Sequence, residues 1–202
     1  MFCNACGNQA TGNYCGNCGN AMVVEIVDLD TDVRYERLIQ QPEVRARISS
    51  HAALAPKSID PVKFLKGCDK LLGLMGEVGV CSLAAKAVPF WSRLGFNTEN
   101  ARKELLPFPA GRMIVNALCS LAERGLELKE VHQGEDGCVL EATIPGNFWT
   151  WNGDLNLSIR QHARGTEIEA AAKIHGQLID WGRSRRLLDD LFADLNQLSQ
   201  AS

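Results

Sequence analysis

The first 22 residues contain no lysine, arginine, aspartate or glutamate. A module that grips nucleic acid carries basic side chains to the phosphates, because phosphate neutralisation supplies most of the non-specific affinity. This stretch brings none, and the formal net charge of the whole chain is −3. Bulk electrostatics give no pull toward nucleic acid or an anionic membrane, so no nucleic-acid partner is expected. Long apolar runs are also lacking. The most apolar stretch, residues 61–88, is interrupted by Asp69, Lys70, Glu77 and Lys86, whereas a membrane-spanning helix needs about 20 predominantly apolar residues. It reads as a buried helical hairpin, with membrane association through an interfacial helix as the less favoured alternative. The N-terminus has no basic start followed by an apolar run, so no signal peptide is expected.

Catalytic signatures are missing too. There is no G-x-S-x-G elbow, no P-loop and no G-x-G-x-x-G after a strand. His51, His132, His162 and His175 stand apart, none in an H-E-x-x-H pattern, and are read as structural or solvent-facing. Glu167 and Glu169 share the polar face of one predicted strand, whereas a general acid–base pair needs carboxylates opposed in a pocket. No catalytic residue is assigned. A non-enzymatic protein is the favoured reading, with enzymatic activity left open.

What the chain does have begins with cysteine. Cys3, Cys6, Cys15 and Cys18 form two Cys-x-x-Cys pairs, each followed by a glycine, Gly7 and Gly19. Glycine gives a metal-binding knuckle backbone freedom and room for N–H···S contacts. Four thiolates suit tetrahedral Zn²⁺ in a closed, structural site. Redox dithiols or two disulfides are the alternatives, but a redox Cys-x-x-Cys sits at a helix start in a βαβ context, which is not found here. With Tyr14 just before the second pair, the segment resembles the short zinc-ribbon domains at the N-termini of many bacterial proteins. The resemblance covers about a tenth of the chain; it implies a fold and a metal, not an activity.

Thiols held in a metal site argue for a reducing compartment, and a cytoplasmic location is expected. A ribbon without charged side chains is suited to contacting a protein partner through Phe2, Tyr14, its asparagines and exposed backbone. The other cysteines, Cys68, Cys81, Cys119 and Cys138, are scattered among apolar or small residues and read as buried thiols acting as small hydrophobes.

With 202 residues, 46% hydrophobic and 22% charged, the chain has room for one small metal module and one domain with its own core. Residues 1–20 form the expected ribbon. Residues 21–57 read as a linker with a short helix, the pattern Val33, Leu38, Ile39 being broken by Pro42. Residues 58–202 read as an α+β domain able to fold alone, helical over 58–124. A short helix is expected near 98–106. Another, 111–124, carries Met113, Ile114, Ala117, Leu118 and Leu121 on one face and stops at Gly125.

The sheet spans 126–174, with strands at 126–132, 138–144, 155–161 and 166–174 that alternate apolar and polar residues. Turns at 134–137 and 163–165 are short enough for hairpins. A C-terminal helix, 182–199, carries Leu187, Leu188, Leu191, Phe192, Leu195 and Leu198 on one stripe. The fold class expected is α+β: a small N-terminal zinc ribbon, then helices and a four-stranded antiparallel sheet covered on one face by helices.

Two aromatic motifs flank the last hairpin, Gly146-Asn-Phe-Trp-Thr-Trp-Asn-Gly-Asp154 and Asp180-Trp181-Gly182-Arg183. Residues 111–199 with these motifs resemble uncharacterised bacterial domains of sheet-plus-helices layout, often joined to a zinc ribbon or a membrane helix. The layout is also similar to helix-grip lipid- and ligand-binding folds. These resemblances imply a fold only. Trp149, Trp151 and Trp181 are candidates to line a pocket for an apolar ligand, against a packing role at the end of the sheet. Asp180 is suited to cap the last helix. Arg183, Arg185 and Arg186 are candidates for an anion at that helix start, against local ion pairs with Asp180, Asp189 and Asp190. The function expected is a non-enzymatic zinc-binding protein whose α+β domain binds a partner or an apolar ligand. The alternative is a helix-grip-like enzyme, or a small-ligand or lipid carrier, with a cavity between sheet and last helix.

Overall fold

A computed structural model of the chain describes residues 14, 16–19, 28–55, 61–77, 101–146, 152–174 and 182–200. In chain order the elements are α1 (Tyr35–Gln40), α2 (Pro42–Ala52), α3 (Pro61–Glu77), β1 (Ala101–Leu106), α4 (Ala110–Glu123), β2 (Glu127–Gln133), β3 (Gly137–Ile144), β4 (Gly153–His162), β5 (Gly165–Ile174) and α5 (Arg183–Gln200). The sheet has five strands in the order β1-β5-β4-β3-β2, and every neighbouring pair is antiparallel. The class is α+β, as the alternation of the last four strands and the stripe of the last helix foretell.

Five strands, not four, is a correction. The extra one is β1, where a short helix is expected near 98–106. Ala-Arg-Lys-Glu-Leu-Leu is made of good helix formers. It nevertheless pairs with β5 along its whole length, from Ala101 opposite Ala171 to Leu106 opposite Thr166, and cross-strand packing outweighs local propensity. An edge strand also tolerates a charge on its inner face. The Arg102 guanidinium lies 4.7 Å from the centroid of the Phe192 ring and donates to Asp189 at 2.7 Å, so its charge is met from α5.

The expected linker 21–57 holds a second correction. Its described part, 28–55, contains two helices rather than one, and both belong to the core. Tyr35, Leu38, Ile39, Val44 and Ile48 are fully buried in the same cluster as the sheet's inner face. The helical pattern does break at Pro42, α1 ending at Gln40, but Pro42 also opens α2, where its missing N–H costs nothing. Val44, Ile48 and Ala52 then recur at four-residue spacing and bury one face against α4. Full burial of each such side chain is worth about 1.5–3 kcal/mol.

Helix α4 is the centre of the molecule. All of its residues from Ala110 to Ala122 except Arg112 are buried, because the sheet, α2 and α5 all pack against it. Gly111 lets the 28–32 turn lie against its start: a Cβ there would meet the Leu29 and Asp32 carbonyl oxygens at 2.5 Å. Its end is set by Gly125, at φ +67°, after which Leu126 N–H returns to the Leu121 carbonyl at 2.9 Å. That left-handed turn is one that glycine adopts without strain. Helix α5 buries Leu188, Leu191, Phe192 and Leu195 along the expected stripe. Among the described residues no helix is long and apolar enough to cross a membrane.

Candidate functional site

Of the four expected zinc ligands, Cys18 is the one described. It is exposed in the turn 16–18, and Gly19 after it takes φ +69°, a backbone that strongly favours glycine. Cys3, Cys6 and Cys15 lie outside the described residues, as do Trp149, Trp151, Trp181, Asp180, His175, Cys81 and the side chain of Arg183. Arg185 and Arg186 are exposed at the start of α5. Of the aspartates expected to pair with that cluster, Asp189 bonds Arg102 at 2.7 Å and Asp190 lies 3.5 Å from Arg124; Asp180 is outside the described residues.

Burial disfavours the thiolate form of the described buried cysteines. Burial pushes Cys68 and Cys119 up to about 11 and Cys138 up to about 12. Each is a neutral thiol at physiological pH, and the thiolate is the form that attacks electrophiles or binds metal. His51, assigned to the linker, instead sits on α2 with Nδ1 2.8 Å from Glu123 at the end of α4. His162 is exposed at the end of β4.

The helical layer carries a polar seam. Asn116 accepts from Arg47 at 2.9 Å and donates to Ser199 at 2.9 Å. One turn on, Ser120 donates to Asp194 at 2.6 Å, and Arg124 also grips Asp194 at 2.6 Å. At the start of α4, Arg112 binds both oxygens of Asp30 at 2.8 and 2.6 Å. Residues 112, 116, 120 and 124 recur every four positions, so one stripe of α4 is polar and satisfied within an otherwise apolar helix.

The outer face of the sheet gathers the remaining chemistry. Antiparallel pairing sets Glu130 opposite Glu141, and Glu141 opposite Asn156. His132 stands two residues along β2 from Glu130 and therefore on the same face. Its Nε2 lies 3.3 Å from Glu130 Oε2 and 3.3 Å from Glu141 Oε1. The three ligand-capable atoms lie within 4.8 Å of one another. Further in, Asn156 and Ser158 are each 3% exposed, and Asn156 Oδ1 is buried without a hydrogen-bond partner. Lys129 with Asp154 at 3.1 Å and Lys103 with Glu167 at 2.9 Å mark the periphery; Glu167 is thus an ion-paired residue of the strand face. Reading His132 as a lone histidine misses this group. The signal was available: a four-residue turn at 134–137 puts residue 133 opposite 138, and hence 130 opposite 141.

Comparison with protein-family models, curated proteins and solved structures finds no match to this chain.

Proposed function

We propose that the protein is a non-enzymatic, cytoplasmic zinc-binding protein. Its N-terminal module holds one structural Zn²⁺ through Cys3, Cys6, Cys15 and Cys18 and docks a protein partner. The α+β unit is the scaffold that presents the module and binds the partner or a small apolar ligand. The observation that carries this reading is the pair of Cys-x-x-Cys turns, each followed by glycine, in a segment with no charged side chain. Closed four-cysteine sets are structural zinc sites, and a charge-free surface favours protein over phosphate.

A second reading, a helix-grip-like carrier or enzyme, draws on topology. The first strand of the sheet pairs with the last, and the long C-terminal helix packs against both. Two measurements separate these readings. Elemental analysis of protein purified without chelator should give one zinc per chain, lost when Cys3 or Cys15 is replaced by serine. Affinity purification from the native cell should return a protein partner that the Cys3→Ser chain fails to hold. Absence of zinc removes the first reading; a tightly bound apolar molecule in place of a protein favours the second.

A further inference from the structure

We propose that the outer face of the sheet carries a second metal site, for a Zn²⁺-like divalent cation. Its ligands are Glu130, His132 and Glu141, and Asn156 is the cross-strand neighbour of Glu141. The first argument is spacing. A tetrahedral site with bonds of about 2.0–2.1 Å to nitrogen and oxygen has ligand–ligand edges of about 3.3–3.4 Å. The His132 nitrogen already lies 3.3 Å from an oxygen of each glutamate. The third edge, between carboxylates, closes the triangle within 4.8 Å, so any adjustment falls on it. Glu130, whose side chain is 62% exposed, is free to make that movement, while Glu141 is held at 20% exposure.

The second argument is the convergence of two carboxylates on one imidazole nitrogen. An N–H at Nε2 points along one line and serves one acceptor well. A cation on the same nitrogen reaches both oxygens and cancels the repulsion between the two carboxylates. The third argument is independent of the cluster. Asn156 is 3% exposed, its Oδ1 has no hydrogen-bond partner, and a buried unmatched acceptor of this kind is destabilising. It is the cross-strand partner of Glu141, and directly paired residues stand side by side on one face of a sheet. The unsatisfied amide thus borders Glu141, the ligand on β3, and a cation held there, or the water such a cation carries, would supply the match it lacks.

The donor set selects the metal class. Imidazole nitrogen with carboxylate oxygen suits zinc and its first-row neighbours over Mg²⁺ and Ca²⁺, which take oxygen alone. Three protein ligands leave one position open to water or to a partner's side chain, unlike a closed four-cysteine set.

The test is calorimetric titration of the full-length, zinc-loaded chain with Zn²⁺, and with Mg²⁺ in parallel. One further Zn²⁺ per chain is expected, bound at least about tenfold more weakly in His132→Gln and in Glu141→Gln. The site should persist in the Cys3→Ser chain, which separates it from the N-terminal module. His132 is on the surface, so His132→Gln carries the test even if Glu141→Gln misfolds. No uptake beyond the first zinc, uptake unchanged in His132→Gln, or equal affinity for Mg²⁺ would each overturn the proposal.

Discussion

The Asn116 amide donates to Ser199 Oγ at 2.9 Å in a place where both residues are almost wholly buried. Its other end accepts from Arg47. One side chain thereby joins α2, α4 and α5, and it does so 83 residues from its serine partner. Asn116→Ala takes the acceptor from Arg47 and one donor from Ser199 Oγ, which keeps its own bond to the Leu195 carbonyl. Leaving buried polar groups unmatched costs about 1–3 kcal/mol, so urea unfolding should shift by that amount with little change in slope. A double cycle with Ser199→Ala should show coupling between the two sites rather than additivity.

Helices α1 and α2 belong to the core, and this fixes how far the chain tolerates shortening. A chain beginning at Ser58 loses Tyr35, Leu38, Ile39, Val44 and Ile48, all fully buried. It should give no cooperative melt, whereas a chain beginning at Asp28 should retain one. Within the intact protein, Ile48→Ala should cost about 2–5 kcal/mol by cavity formation. Thermal melts followed by circular dichroism distinguish these outcomes.

Cys68, Cys119 and Cys138 should resist alkylation at neutral pH in the native protein and react fully in denaturant. Their thiols are held protonated by burial, up to about 11 or 12. Peptide mapping after maleimide treatment reads each position separately. Rapid native labelling of any of the three would show that its surroundings open.

Arg45 and Asp69 tie α2 to α3 through two hydrogen bonds, 2.6 and 3.0 Å. The hydrogen bond from Arg45 is the main cause holding the Asp69 carboxyl below its usual value of 3.8. A depressed carboxyl contributes stability above its unfolded value and loses it as pH falls through the folded one. The stability advantage over Asp69→Asn should therefore be full at neutral pH and fade below about pH 4. Asp69 is 46% exposed, so solvent screening keeps the advantage within about 0.2–1 kcal/mol. Chemical denaturation of both proteins across that range measures it.

Sequence patterning was legible where burial is one-sided and local. Strands β2 to β5 and helices α4 and α5 appear within two residues of their expected ends, because period-two and period-3.6 patterns survive without knowledge of partners. Strand β1 does not announce itself: its inward side chains include Arg102, made tolerable by Phe192 and Asp189 nearly ninety residues on. Helix α2 was hidden by small residues and by reading Pro42 only as a stop. The Glu130–His132–Glu141 group was written in the hairpin, but only once β2 and β3 are aligned by their turn. The β-bulge between Leu128 and Glu130 further obscures which residues of β2 share a face.

The clasp of Arg112 on Asp30, with the Gly111 N–H reaching the Asp30 carbonyl at 2.9 Å, anchors the chain at the start of the central helix. Only nine residue steps separate Gly19 from Asp28, a stretch that spans roughly 30 Å at most. The cysteine module is thus leashed to the α+β unit at an effective concentration on the order of millimolar. A partner that engages both surfaces meets the second as an intramolecular event. On the proposed reading, two contacts too weak to hold alone would then act as one, and cutting the leash would abolish that gain without altering either surface.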